Sequence, residues 1–231
     1  MPVRKLLLGL VALSLPAFAA APAQGQSIPS PYRFVDTKKE AGLFIGTSSV
    51  AKGRFGFGPA GGLNMGARWG IELSGPLGFE AAAGVIRGTR DIVNPAKVVD
   101  DLKIGEADQS VATADVRLRF TLTGDRTWHR LAPFFLAGGG VAFGLGGDSP
   151  LDENLAKDDR FHFGTSFFGT LGSGVRLVLG ERLALRGDAL FSLWKIKTPP
   201  GFGSAARGFT AVEESEWTSG RHFALSVIYR Y

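Results

Sequence analysis

From Phe223 to Tyr231 the chain reads FALSVIYRY. Phe223, Leu225, Val227, Tyr229 and Tyr231 take the odd positions; Ala224, Ser226, Ile228 and Arg230 take the even ones. Alternation with a period of two over nine residues is a β-strand with one apolar face. The strand carries the sequence to its last residue, an aromatic one.

The same pattern recurs upstream. Leu63, Met65, Ala67, Trp69, Ile71 and Leu73 alternate with Asn64, Gly66, Arg68, Gly70 and Glu72. Similar alternation runs over 77–85, 112–122, 161–179 and 183–193. Two further stretches, 41–49 (AGLFIGTSS) and 132–145 (APFFLAGGGVAFGL), are strand-like, but neither declares which face is apolar. These segments predict eight strands. The links between them alternate in length: Ser74-Gly75-Pro76, 123–131 and Gly180-Glu181 are short, whereas 50–60, 87–108, 146–160 and 198–219 are long.

An even number of strands, with short turns at one end and long polar loops at the other, is the layout of an outer-membrane barrel. Most of the segments match or exceed the roughly 9–11 residues that cross a bilayer at a tilt. A soluble eight-stranded barrel of lipocalin type has the same periodicity, but with its apolar side inward and a Lys- and Glu-rich outside. Here one face is large, apolar and nearly uncharged, while the other mixes Gly and Ala with Arg and Asp. The expected fold is therefore all-β: an eight-stranded antiparallel up-and-down transmembrane β-barrel. This accounts for a composition of 33 Gly, 18 Phe and 45% hydrophobic residues, with a mean hydropathy of +0.11. Beyond the leader no run approaches the roughly 20 apolar residues of a spanning helix.

The N-terminus has a basic start (Arg4, Lys5), an apolar run from Leu6 to Leu15 and a small-residue tail, which together read as a secretory signal peptide. The expected organisation is a signal peptide over 1–23, a short periplasmic segment over 24–40 and the barrel over 41–231. Removing the leader leaves 24 basic against 21 acidic residues, a net charge of +3. No Lys/Arg run suggests a nucleic-acid surface. The absence of Cys removes disulfides, thiolate metal sites and Cys nucleophiles.

FALSVIYRY is similar to the C-terminal signal by which outer-membrane barrels are recognised for insertion. The apolar alternates Phe223, Leu225 and Val227 lead to aromatics at the third-last and last positions, Tyr229 and Tyr231. Together with the leader and the eight strands, the chain from about residue 41 resembles the small OmpA/OmpX/OmpW-like outer-membrane barrel family. The resemblance implies residence in the cell outer membrane among outer-membrane lipid and lipopolysaccharide. It also implies contact with the barrel-assembly machinery during insertion.

Opposite the apolar face stand Arg68, Glu72, Glu80, Asp115, Arg117, Arg119, Arg176, Arg186, Asp188 and Arg230. An eight-stranded barrel is just wide enough for side chains to fill, and enclosed charges must be paired or hydrated. The expected arrangement is a salt-bridge network that fills the lumen of a structural or surface-interacting monomer. The alternative is a small transport barrel or narrow pore for anionic or hydrophobic solutes, favoured by the excess of Arg. Lipid A-modifying enzymes share this scaffold, but His162–Ser166 and His222–Ser226 lie four strand residues apart, roughly 13 Å. That is too far for a nucleophile–base couple, so no catalytic residue is expected. The acidic cluster of Asp148, Asp152, Glu153, Asp158 and Asp159 lacks EF-hand spacing. No metal or other cofactor is expected; these acids read as a solvated loop. Trp69, Trp194, Tyr229, Tyr231 and Phe161 fall near strand ends, as interfacial aromatic girdles do.

Overall fold

A computed structural model describes residues 30–34, 38–97 and 101–231. The signal peptide expected over 1–23, and part of the segment expected over 24–40, lie outside the described residues.

Eight long strands form an antiparallel ring. In chain order they are β2 (Lys39–Val50), β3 (Pro59–Ser74), β4 (Leu77–Val93), β5 (Lys103–Thr121), β7 (Leu131–Leu145), β8 (Thr165–Val178), β9 (Leu183–Lys197) and β10 (Ser215–Arg230). Two three-residue strands, β1 (Tyr32–Phe34) and β6 (Arg126–Trp128), make a small ribbon beside β7. Each ring strand pairs with its sequence neighbour, apart from the excursion through β6 between β5 and β7. The last strand meets the first, with Leu225 opposite Ile45 and Arg230 opposite Glu40. Closure leaves no ring edge unpaired, the condition under which a sheet can reside in lipid.

The side chains alternate as their polarity requires. Phe223, Leu225, Val227, Tyr229 and Tyr231 are all exposed on the outside, while Ala224, Ser226, Ile228 and Arg230 are buried within. Leu43, Phe167 and Leu171 continue the outer apolar band, whereas Glu80 and Arg119, on the inside, are fully buried. Apolar outside and charged inside is the inversion of a water-soluble barrel and the polarity of a transmembrane one.

Some boundaries differ from the sequence reading. β2 opens at Lys39, so Lys39 and Glu40 belong to the wall. β4 and β5 run to Val93 and from Lys103, well past the bilayer, and most of the expected 87–108 loop is strand. β8 starts at Thr165, and Phe161 lies before it in the loop. Phe161 and Trp194 are not girdle residues, because both are buried. Trp69, Tyr229 and Tyr231 are exposed near the periplasmic end, where the Trp69 indole N–H donates to the Tyr231 hydroxyl at 3.0 Å.

Candidate functional site

The lumen is filled in three layers. Nearest the periplasm lies a connected ionic network. Arg119 bridges Glu40, Glu72 at 2.6 Å and Glu80 at 3.5 Å. Arg176 joins Glu40 at 3.0 Å and Glu72 at 3.5 Å. Arg186 bonds Glu80 and, at 2.8 Å, Asp188, which also takes Arg68 at 2.7 Å. Arg117 binds Asp115 and reaches Glu80 at 3.3 Å. Glu80 lies at the hub, within ion-pair range of Arg68, Arg117, Arg119 and Arg186.

Nine of the ten charged residues expected in the lumen are thus brought into one network. The tenth, Arg230, is buried on β10 directly opposite Glu40 in register. Glu40 escapes the sequence reading because β2 begins two residues before the expected 41–49 stretch, whose sequence does not declare its apolar face. The parity of Leu43 and Ile45, both outside, would have pointed it inward. Its inclusion matters to the charge balance, since six lumen arginines now face five carboxylates. Phe rings complete the layer, with the Arg68 guanidinium 4.9 Å from the Phe44 ring centroid and that of Arg186 4.5 Å from Phe134.

The second layer is polar and lies further along the strands, since His222 pairs with Ser48 and Leu190, two residues beyond the level of Asp188. His222 is clamped between hydroxyls: Nδ1 lies 2.7 Å from Ser48 Oγ and Nε2 lies 2.7 Å from Ser192 Oγ. The Trp194 indole N–H donates to that same Ser192 oxygen. Ser226, four residues along the strand, is out of reach as the spacing implies; the partners are the cross-strand neighbours Ser48 and Ser192. Both ring nitrogens are engaged within the wall, as a buried imidazole requires. Beside them remains a void of about 40 Å³ reaching Arg68 and Asp115.

The third layer is aromatic. The loops that follow β2, β7 and β9 fold over the mouth and place Phe57, Phe161, Phe163, Phe202 and Phe209 against Ile86, Val93, Val111, Trp194 and Ile196 of the strands. Phe55 stacks on Phe202 with ring centroids 4.6 Å apart, and Phe57 meets Phe161 at 4.9 Å. The loop after β4 adds Leu102.

Polar contacts fasten this cap. Arg90 binds Asp152, which also caps the short helix α1 (Pro150–Glu153) through the Ser149 N–H at 2.9 Å. Arg207 takes Asp159 at 2.6 Å, and Arg160 takes Asp148 at 3.1 Å. Burial pulls the Asp91 carboxyl up, but hydrogen bonds from Lys52 and Lys103 outweigh it and hold the group below its ordinary range. The acidic stretch is therefore not a solvated loop, because Asp152 and Asp159 are buried and bound to arginines. Among the described residues no three acidic or His side chains are grouped to hold a metal ion.

No protein-family model matches the chain, and no curated protein does. Solved structures do. Neisserial surface protein A superposes with a TM-score of 0.53 at 11% identity, over 84% of this chain and 97% of that one. The outer membrane protein OprG from Pseudomonas aeruginosa gives 0.52 at 14% identity, over 87% and 99%. The chain has the fold of the small outer-membrane β-barrels. Its inverted polarity and this fold place it in the cell outer membrane. Identities this low speak for the architecture alone, so the layered lumen must be read from its own residues.

The cap can be tested apart from the wall. Phe202 is fully buried at the centre of the aromatic cluster. Phe202→Ala should cost the loops about 3–5 kcal/mol of packing. The variant is expected to gain protease cleavage sites in 146–164 and 198–214 while its folded band on an unboiled gel is unchanged.

Proposed function

We propose that this protein is a closed, non-conducting outer-membrane barrel whose role is structural and surface-directed. The observation that carries the reading is the stack of ionic, polar and aromatic layers, each tied to different strands and loops. Salt bridges join β2, β3, β4, β5, β8 and β9 across the lumen, so the network braces the wall as well as filling it. Burying so many charges is tolerable only where each is paired, and most of the guanidiniums have two or more carboxylate partners. Ordering the loops into one cap gives the outer end a fixed shape, which suits contact with lipopolysaccharide or another surface.

In this reading the apolar band is surrounded by outer-membrane lipid. The β10 alternates ending in Tyr231 are the strand offered to the assembly machinery. The barrel works as a monomer, without catalysis, metal or other cofactor. His222 then serves as packing, since its two ring nitrogens meet the Ser48 and Ser192 hydroxyls, where a nucleophile–His–acid arrangement would place a carboxylate on one of them.

Single-channel recording of the purified, refolded protein in a planar bilayer tests the reading. The expected trace has no discrete conductance steps at either polarity. Regular steps, or flux of small anions into vesicles, would replace it with the small transport barrel.

A further inference from the structure

The ribbon of β1 and β6 lies at the end of the short turns, which is the periplasmic end. Its register shows where it faces. Trp128 is opposite Leu131, the first residue of β7, whose odd positions lead to the lipid-facing Phe135. Tyr32 is opposite Trp128 and Phe34 is opposite Arg126, while the intervening Thr127 is buried. By this parity Tyr32 and Trp128 continue the apolar outer face of the barrel below its last full turn, while Phe34 stands at the rim, where the ribbon borders the periplasmic mouth beside Glu72; all three are exposed.

Cations accompany these rings. The Arg126 guanidinium lies 4.6 Å from the Phe34 ring centroid, and Arg130 follows in the two-residue turn. That turn holds both His129 (φ 48°) and Arg130 (φ 68°) in the left-handed region, which residues with a β-carbon seldom occupy. It is pinned on both sides. The His129 N–H donates to the Pro31 carbonyl at 3.1 Å, and the Arg130 carbonyl accepts from the Val178 N–H at 2.8 Å. An aromatic face continuous with the lipid surface, with arginines at its margin, is the make-up of a membrane–water interface that attracts anionic headgroups.

We infer that the ribbon is a binding site for the phosphate headgroup of an anionic phospholipid in the periplasmic leaflet. The rings lie at headgroup depth and Arg126 and Arg130 take the phosphate oxygens. Arg is suited to this because its planar fork of N–H donors matches phosphate geometry. The site does not depend on whether the lumen conducts.

The test is native mass spectrometry of the full chain refolded in detergent, with phosphatidylglycerol or phosphatidylcholine of identical acyl chains added. The unmodified protein should retain phosphatidylglycerol in preference, and the Arg126→Gln/Arg130→Gln variant should lose that preference by roughly fivefold or more. Lys52→Gln/Arg54→Gln, at the opposite end, should keep it. An unboiled gel shows that each variant is folded. The inference is overturned if phosphatidylglycerol is not preferred, if the ribbon variant keeps the preference, or if the outer-end variant loses it instead. It is also overturned if the ribbon variant abolishes a dimer, which would make a second copy the occupant.

Discussion

Glu80→Gln should lower the urea midpoint of the folded barrel more than any other single carboxylate-to-amide change in the lumen. The Glu80 side chain is buried, and four guanidiniums converge on it. Gln keeps the shape but removes the charge that balances them, and breaking a buried ion pair on one side costs about 3–5 kcal/mol. Glu72→Gln is the natural comparison. Its side chain is 22% exposed at the periplasmic mouth, and the arginines it meets, Arg119 and Arg176, both retain Glu40. Its effect should be much smaller. Equal midpoints for the two variants would mean that water rather than Glu80 carries the charge balance.

Gly46→Val should prevent the barrel from closing. Gly46 lies in β2 opposite Ala224 of β10, at the seam between first and last strands. A β-carbon there would stand 1.9 Å from the Phe223 carbonyl oxygen and 2.7 Å from the Ala224 α-carbon. Both neighbours are backbone held by the sheet, so no rotamer change can relieve the clash. Overpacking commonly costs about 1–3 kcal/mol where side chains can shift, and here only a break in pairing can relieve it. The expected outcome is loss of the fast-migrating folded band on an unboiled gel. Gly169→Ala is the control, because a β-carbon there meets nothing within 4 Å. A folded band from the Gly46 variant would show that the seam can separate locally without loss of the ring.

The ring of strands was legible because lipid imposes a simple rule on every outward position. FALSVIYRY alone shows it, and each odd residue of that stretch is exposed where the rule places it. The two strands whose faces stayed ambiguous, 41–49 and 132–145, share one cause. Phe44 and Phe134 turn inward beneath the guanidiniums of Arg68 and Arg186. An inward Phe that supports a cation erases the apolar–polar contrast on which the face assignment depends. The cap was not legible for a related reason. Phe57, Phe161, Phe202 and Phe209 are scattered through Gly- and Pro-bearing loops with no period, and only the ring beneath brings them together. Trp194 was misplaced because distance along a strand says that it is near an end but not on which side of the wall it lies. For the lumen, parity found the arginines and most of the acids, but it could not pair them, since many of the salt bridges, such as Arg68–Asp188, Arg119–Glu40 and Arg176–Glu40, join strands far apart in the chain.

That remoteness bears on how the molecule assembles. The ion-pair partners of Glu40 lie 79 residues away at Arg119 and 136 away at Arg176, and β2 must wait for β10 before the ring is complete. No hairpin formed early can satisfy Glu40, so that carboxylate stays in water until the distant strands come together. Drying of the interior and joining of the first and last strands are then a single late event. Reversed, the same coupling makes the seam the gate for unfolding, because opening it exposes the whole ionic layer at once.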